Sequence, residues 1–194
     1  IQFDRVALDV ETYKVINDNE LAATEAVSHM ISQGYKRIAL LEGPQNLAIF
    51  RQRKTGYLKA MEQHKIPLIE ELIIRNAWTK ELGAKATRKL LNTSNPPDAI
   101  FASTSDFSAL GVLEVANHMG FKVPDALGIC GYSNEAFSEI TTPSITTIDQ
   151  YSKRMGKAIA DLYFQEVKEA SGNNIFKTVS IKPKLIVRSS TLKK

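Results

Sequence analysis

Two rhythms of apolar and polar positions alternate along this chain. Short unbroken apolar runs, bounded by glycine, proline or polar clusters, are followed by longer stretches whose apolar residues recur every three or four positions. The runs Arg37–Gly43 ("RIALLEG"), Glu71–Ala77 ("ELIIRNA"), Ala99–Ser103 ("AIFAS") and Leu127–Tyr132 ("LGICGY") each predict a strand. Ile1–Val10 reads as an extended leading segment and Ile181–Arg188 as the closing strand. The helical period predicts helices over Asn17–Gln33, about Leu47–His64, Lys80–Leu91, about Ser105–Met119, and Tyr151–Ala170. Inner faces follow from the spacing: Leu21, Val27, Met30 and Ile31 in the first, Tyr57, Leu58 and Met61 in the second, and Met155, Ile159, Leu162 and Val167 in the last. Gly34 and Gly120 sit where helices must stop, and Pro96-Pro97 breaks the chain before a strand.

Regular alternation of this kind specifies an α/β fold: a Rossmann-like parallel sheet with helices on both faces. Open sheets of this class bind ligands beyond the carboxyl ends of their strands. The residues falling there are Asp4 and Arg5, the stretch Gly43–Arg53, Trp78, Ser105 and Asp106, Ser133 and Asn134, and Asp149 and Gln150. They are nearly all polar or aromatic, and no nucleophile stands beside a base among them. The expectation is therefore a binding protein that is not an enzyme and needs no cofactor.

Each position also has a plainer explanation. Asp4 and Arg5 form a surface pair in one reading and contact a ligand in the other. Arg53 lies in a basic helix, where a solvated arginine is ordinary. Ser105 is placed to cap a helix, and Asp106 in the first turn suits the helix dipole. Trp78, the single tryptophan, fits a core plug as well as a stacking platform. His29, His64 and His118 have no metal-ligand spacing, and the glycines form no phosphate-binding loop.

Composition changes this picture in three ways. The 194 residues suffice for one sizeable core, with no apolar run near a membrane span. Cys130 is the only cysteine, so no internal disulfide forms, and a reducing, cytoplasmic setting is expected. The net charge of +4 is carried by scattered residues, which argues against a nucleic-acid face within this chain.

The ordered set "FDRV", "GYKRIALLEGP", "RQRKTGYLKAM", "PPDAIFASTSDFSALGVLEVANHMGFKVPDALGICGYSN", "TTPSITTIDQ" and "IKPKLIVRSST" covers nearly the whole chain. It resembles the effector-binding domain of LacI-family transcriptional regulators, whose type I periplasmic-binding-protein-like fold is shared with periplasmic sugar receptors. The resemblance implies that residues 1–149 form a C-terminal subdomain with a hinge segment leading into it. It implies that 150–180 form a return helix of an incomplete N-terminal subdomain, and that 181–194 return to the first unit. It also implies that the DNA-reading helix-turn-helix and the first half of the N-terminal subdomain are missing upstream of Ile1, so that operator DNA is reached only through them. With that half absent, the apolar stripe of Tyr151–Ala170 is expected to be left open within this chain, and to pack on a second copy or on an N-terminal part of a longer protein.

The same resemblance assigns a small-molecule effector, a sugar or sugar derivative, to Asp4, Arg5, Arg53, Trp78, Ser105, Asp106, Ser133, Asn134 and Gln150. It departs from the family at Ser133, where the usual motif has aspartate, and at Ser105, where many relatives have asparagine. A homodimer through faces of the C-terminal subdomain is the expected assembly. A periplasmic-type sugar-binding protein and a small α/β enzyme are the competing readings.

Overall fold

A computed structural model describes residues 1–7, 9–167 and 176–193. Its largest sheet contains four parallel strands, in the order β4 (Ile73–Ile74), β3 (Ile38–Leu41), β5 (Ala99–Ala102) and β6 (Gly128–Cys130). Successive side chains of a strand point to opposite faces, and here both faces are buried. Ile38 and Leu40 pack with Phe101 under α1 (Asn19–Ser32) and α2 (Ala48–Gln63). Ala39 and Leu41 pack with Ile100 under α3 (Lys80–Leu91) and α4 (Asp106–His118). That two-sided burial is why these strands read as unbroken apolar runs.

Helix ends follow local chemistry. The Asp18 carboxylate accepts from Leu21 N–H at 3.0 Å, and the Thr79 hydroxyl accepts from Leu82 N–H at 3.2 Å. α1 and α2 approach so closely that a Cβ on Gly56 would collide with the backbone of Glu20. After α1, Gly34 turns the chain at φ +88°.

A second parallel sheet joins β1 (Gln2–Phe3), β2 (Lys14–Asn17) and β8 (Thr178–Ile181). Sequence reading missed β2, because its alternation is only four residues long and runs directly into the helix predicted from Asn17. The predicted strand Ile181–Arg188 is instead two pieces. Pro183 has no N–H to donate to a ladder. The chain therefore leaves β8 and resumes as β9 (Lys184–Ile186), antiparallel to β7 (Thr147–Asp149). The run Glu71–Ala77 shortens to β4, because Glu70–Leu72 winds into a 3-10 turn.

The last long helix, α6 (Ser152–Leu162), continues as a π-helical turn over Tyr163–Val167. Met155 and Leu162 are buried against Tyr13, Val15 and Ile181, with Ile159 partly buried beside them. The expected exposure of this stripe is therefore corrected: the small sheet, invisible in the sequence reading, covers it. Val167 of the stripe and residues 168–170 of the predicted helix lie outside the residues whose side chains are described. Three segments link the two parallel sheets: Asp18 after β2, Gln150–Tyr151 after β7, and Lys182–Pro183 after β8.

Candidate functional site

The carboxyl ends of β3, β5 and β6 deliver loops toward the linking segments, and Arg53 sits between them. Its side chain reaches inward from the middle of α2 and is 2% exposed. Nε donates to Asn19 Oδ1 at 2.9 Å, and Nη1 donates to the Ser103 and Thr104 carbonyls at 2.8 and 3.3 Å. The guanidinium carbon lies 3.5 Å from the centroid of the Tyr132 ring and 5.5 Å from that of Phe50. Among the described residues no carboxylate forms an ion pair with Arg53. Burial pulls its basicity below the usual arginine range, and the Tyr132 hydroxyl and Asp4 act against that pull.

Asp4 and Arg5 follow β1, and both lie within electrostatic range of Arg53. Asp4 holds φ +55°, unusual for a side chain with a Cβ, while its N–H donates to Val15 O at 3.0 Å. Arg5 is exposed. Trp78 follows β4 and is 49% exposed, so it is no core plug. It stands beside Ala77, whose carbonyl accepts from the Thr104 and Ser108 hydroxyls at 3.2 and 2.8 Å. Thr104 thus ties the tryptophan loop to Arg53. Gln150 is half-buried on the linking segment.

Ser105 and Asp106 are engaged within the protein. Ser105 caps α4, its hydroxyl accepting from Ser108 N–H at 3.3 Å. Asp106 is fully buried: Oδ1 accepts from the Thr147 hydroxyl at 2.6 Å, and Oδ2 accepts from Glu135 N–H at 2.8 Å. Burial raises its carboxyl above the usual range, and these bonds oppose the rise. Asp106 therefore braces the loop after β6 against β7, with no oxygen turned to the cleft. It presses so close to Gly131 that no Cβ fits there.

Ser133 and Asn134 both hold positive φ, +112° and +54°. Asn134 is fastened on two sides: Nδ2 donates to Asp149 Oδ2 at 3.2 Å, and Oδ1 accepts from Arg188 Nη2 at 2.8 Å. Ser133 is half-buried, with no hydrogen bond from its hydroxyl among the described residues.

Sequence reasoning missed Asn19 and Tyr132. The Tyr132 hydroxyl donates to Asn19 Oδ1 at 3.0 Å, and Asn19 Nδ2 donates to Asn17 O at 3.1 Å. A signal was present: Asn19 falls on the same stripe as Ala22, Ala23 and Ala26, and a polar residue on a buried stripe needs partners. A cavity of about 510 Å³ opens between the segment after β1 and the start of α2, with Arg5 the one expected site residue in its lining. A more apolar cavity of about 470 Å³ lies between β4 and the end of α3, lined by Ile69, Leu72, Ile74 and Leu90. It contains none of the expected site residues. Among the described residues no His, Cys, Asp and Glu group is arranged for a metal ion, and no helix is long and apolar enough to cross a membrane.

A family model for a periplasmic binding protein-like domain matches residues 27–191. The HTH-type transcriptional repressor CytR of Escherichia coli K12 is 32% identical, the alignment covering 98% of this chain and 55% of that protein. A regulatory protein of the LacI family from Chloroflexus aggregans superposes with TM-score 0.89 at 27% identity, over 97% of this chain and 66% of the other. The transcriptional regulator CelR, solved in complex with cellobiose, superposes with TM-score 0.87 at 28% identity, over 97% and 57%. The chain spans about half the length of the curated relatives it matches.

Proposed function

The chain belongs to the periplasmic binding protein-like domain family, in the form carried by LacI-family regulators, and on that premise we propose that it binds a sugar-like effector for a transcriptional regulator. The observation that carries the proposal is the convergence on Arg53. A buried cation without a carboxylate partner is held by neutral oxygens, and Asp4 and Arg5 approach it from the strand beyond the linking segment. Trp78 offers an exposed indole face on the loop tied to it. Forked donors, short acceptors and a flat aromatic surface are the chemistry that polyhydroxylated rings require. The CelR–cellobiose complex among the structural neighbours supports a carbohydrate.

Binding between two sheets joined by three linking segments favours the arrangement in which they close on the ligand. In the whole regulator that closure alters affinity for operator DNA, read by a helix-turn-helix outside this chain, and two copies act as a homodimer. The test is calorimetric titration of this chain with a panel of mono- and disaccharides, beside Arg53→Ala. A saturable partner whose affinity falls in the variant supports the proposal. A ligand bound equally by both proteins places binding elsewhere, and no binding across the panel removes the sugar assignment.

A further inference from the structure

We propose that the effector carries a negative charge, a carboxylate or phosphate on a polyhydroxylated body, and that this group docks against Arg5 and Arg51 at the mouth of the cleft. The inference rests on the effector-binding reading above and narrows its ligand class.

The cavity of about 510 Å³ is lined by Arg5, Val6 and Asp9 on one side and by Asn46, Ala48 and Arg51 on the other. Its size suits a small ligand or the charged end of one. Arg5 is exposed and forms no ion pair among the described residues. Arg51 commits Nη1 to the Gln45 carbonyl at 2.8 Å, which orients the fork and leaves its other donors for a ligand. The planar fork of arginine matches two oxygens of a carboxylate or phosphate at once.

Two further features add positive potential at the same place. Arg53, on the same helix as Arg51 and within electrostatic range of Arg5, is a buried cation bonded only to neutral oxygens. The first turn of α2 also borders it, with no side-chain cap at Leu47 and no acidic residue. Its N–H groups and the positive end of its dipole therefore meet no counter-charge from their own helix. Within the cavity lining, Asp9 is the one acid against Arg5 and Arg51 among the described residues. A neutral sugar would leave that excess uncompensated, whereas an anionic one completes it.

The experiment titrates this chain, at matched ionic strength, with paired probes: galacturonate against galactose, glucose 6-phosphate against glucose, and inorganic phosphate alone. Arg5→Gln and Arg51→Gln are measured in parallel, with circular dichroism to confirm folding. The charged member of a pair is expected to bind about tenfold or more tightly than its neutral parent. Either variant should shrink that ratio toward one. Neutral sugars bound as tightly as charged ones, or a ratio unmoved by both variants, overturn the inference and leave the effector reading standing. Arginine-dependent binding of phosphate with no sugar bound upholds the anion subsite and sinks the sugar reading. Silence from every probe overturns both.

Discussion

The guanidinium of Arg53 stacks 3.5 Å from the Tyr132 ring, and both side chains donate to the same Asn19 oxygen. Three elements meet there: α2 supplies the arginine, the loop after β6 the tyrosine, and the first turn of α1 the asparagine. Asn19→Leu leaves two donors buried without an acceptor, one of them charged. It is expected to cost about 1–3 kcal/mol of stability, read as a lowered urea midpoint at unchanged slope. A midpoint equal to the parent's would mean that water replaces the amide, and the arginine would not be held as described.

Trp78 separates binding from folding. Half its surface is exposed, and the loop is anchored by the Ala77 backbone rather than by the indole. Trp78→Ala should therefore change stability by no more than about 0.5 kcal/mol. Saccharide affinity should fall several-fold in the same variant. A large drop in the melting midpoint would show the ring to be packed after all.

Asn134 was expected to touch ligand, but its amide is fastened between two chain segments. Nδ2 donates to Asp149, whose other oxygen accepts from Tyr151 N–H at 2.7 Å, and Oδ1 accepts from Arg188. Tyr151 holds φ +52° on the segment that leads from β7 into α6. Asn134→Ala should release that segment. The amide of Tyr151 should then exchange with solvent deuterium faster than in the parent, while amides of β5 keep their protection. Equal exchange at Tyr151 would confine Asn134 to local loop structure.

What could be read in the sequence follows burial. Ile38–Leu41 and Ala99–Ala102 are apolar on both faces, so their strands and the parallel sheet were legible without a structure. Lys14–Asn17 was not, because four alternating residues run straight into the N-cap of α1. Pro183 could have signalled the break between β8 and β9, since it donates nothing to a ladder. Arg53 and Trp78 stood out as chemistry at strand ends. Asp106 stood out equally but lies inside, because sequence position places a residue at a loop without saying which way its carboxylate turns. Asn19 stayed hidden for the same reason: its position gave a helix start, while its partners come from residues 34 and 113 positions away.

His29 makes stability pH-dependent in a definite direction. Its Nε2 lies 2.9 Å from the Thr191 hydroxyl, which in turn meets the Thr146 hydroxyl at 2.7 Å. Burial holds the imidazole below its usual value of 6.5. The folded state thus takes up the proton less readily than the unfolded chain. Its contribution is present above that usual value and is lost as the pH falls through the folded one. Asp106, raised by burial, acts in the opposite sense at lower pH, favouring the folded state as acid increases. The fall in urea midpoint between about pH 7.5 and about pH 5.5 should therefore be smaller in His29→Gln than in the parent. Parallel curves would remove His29 as the titrating group.

The assembly expected of this chain has a candidate face. Phe107 at the start of α4 is 49% exposed and meets the Phe137 ring at a tilt of 56° with centroids 4.9 Å apart, and Ile140 nearby in sequence is 82% exposed. These residues lie on α4, which packs on β5 and β6, and on the short helix α5 (Phe137–Ile140), which meets α4 through the two phenylalanines. Large apolar side chains left this open lower the free energy when a second copy covers them, and a two-fold arrangement would use the face twice. Ile140→Glu should turn a dimer into a monomer in sedimentation velocity at micromolar concentration. Its circular dichroism and urea midpoint should stay close to the parent's, because so exposed a residue contributes about 0.5 kcal/mol or less to the fold of one copy. A parent chain that sediments as a monomer throughout would argue against this face, and a dimer untouched by the substitution would move the contact to another surface.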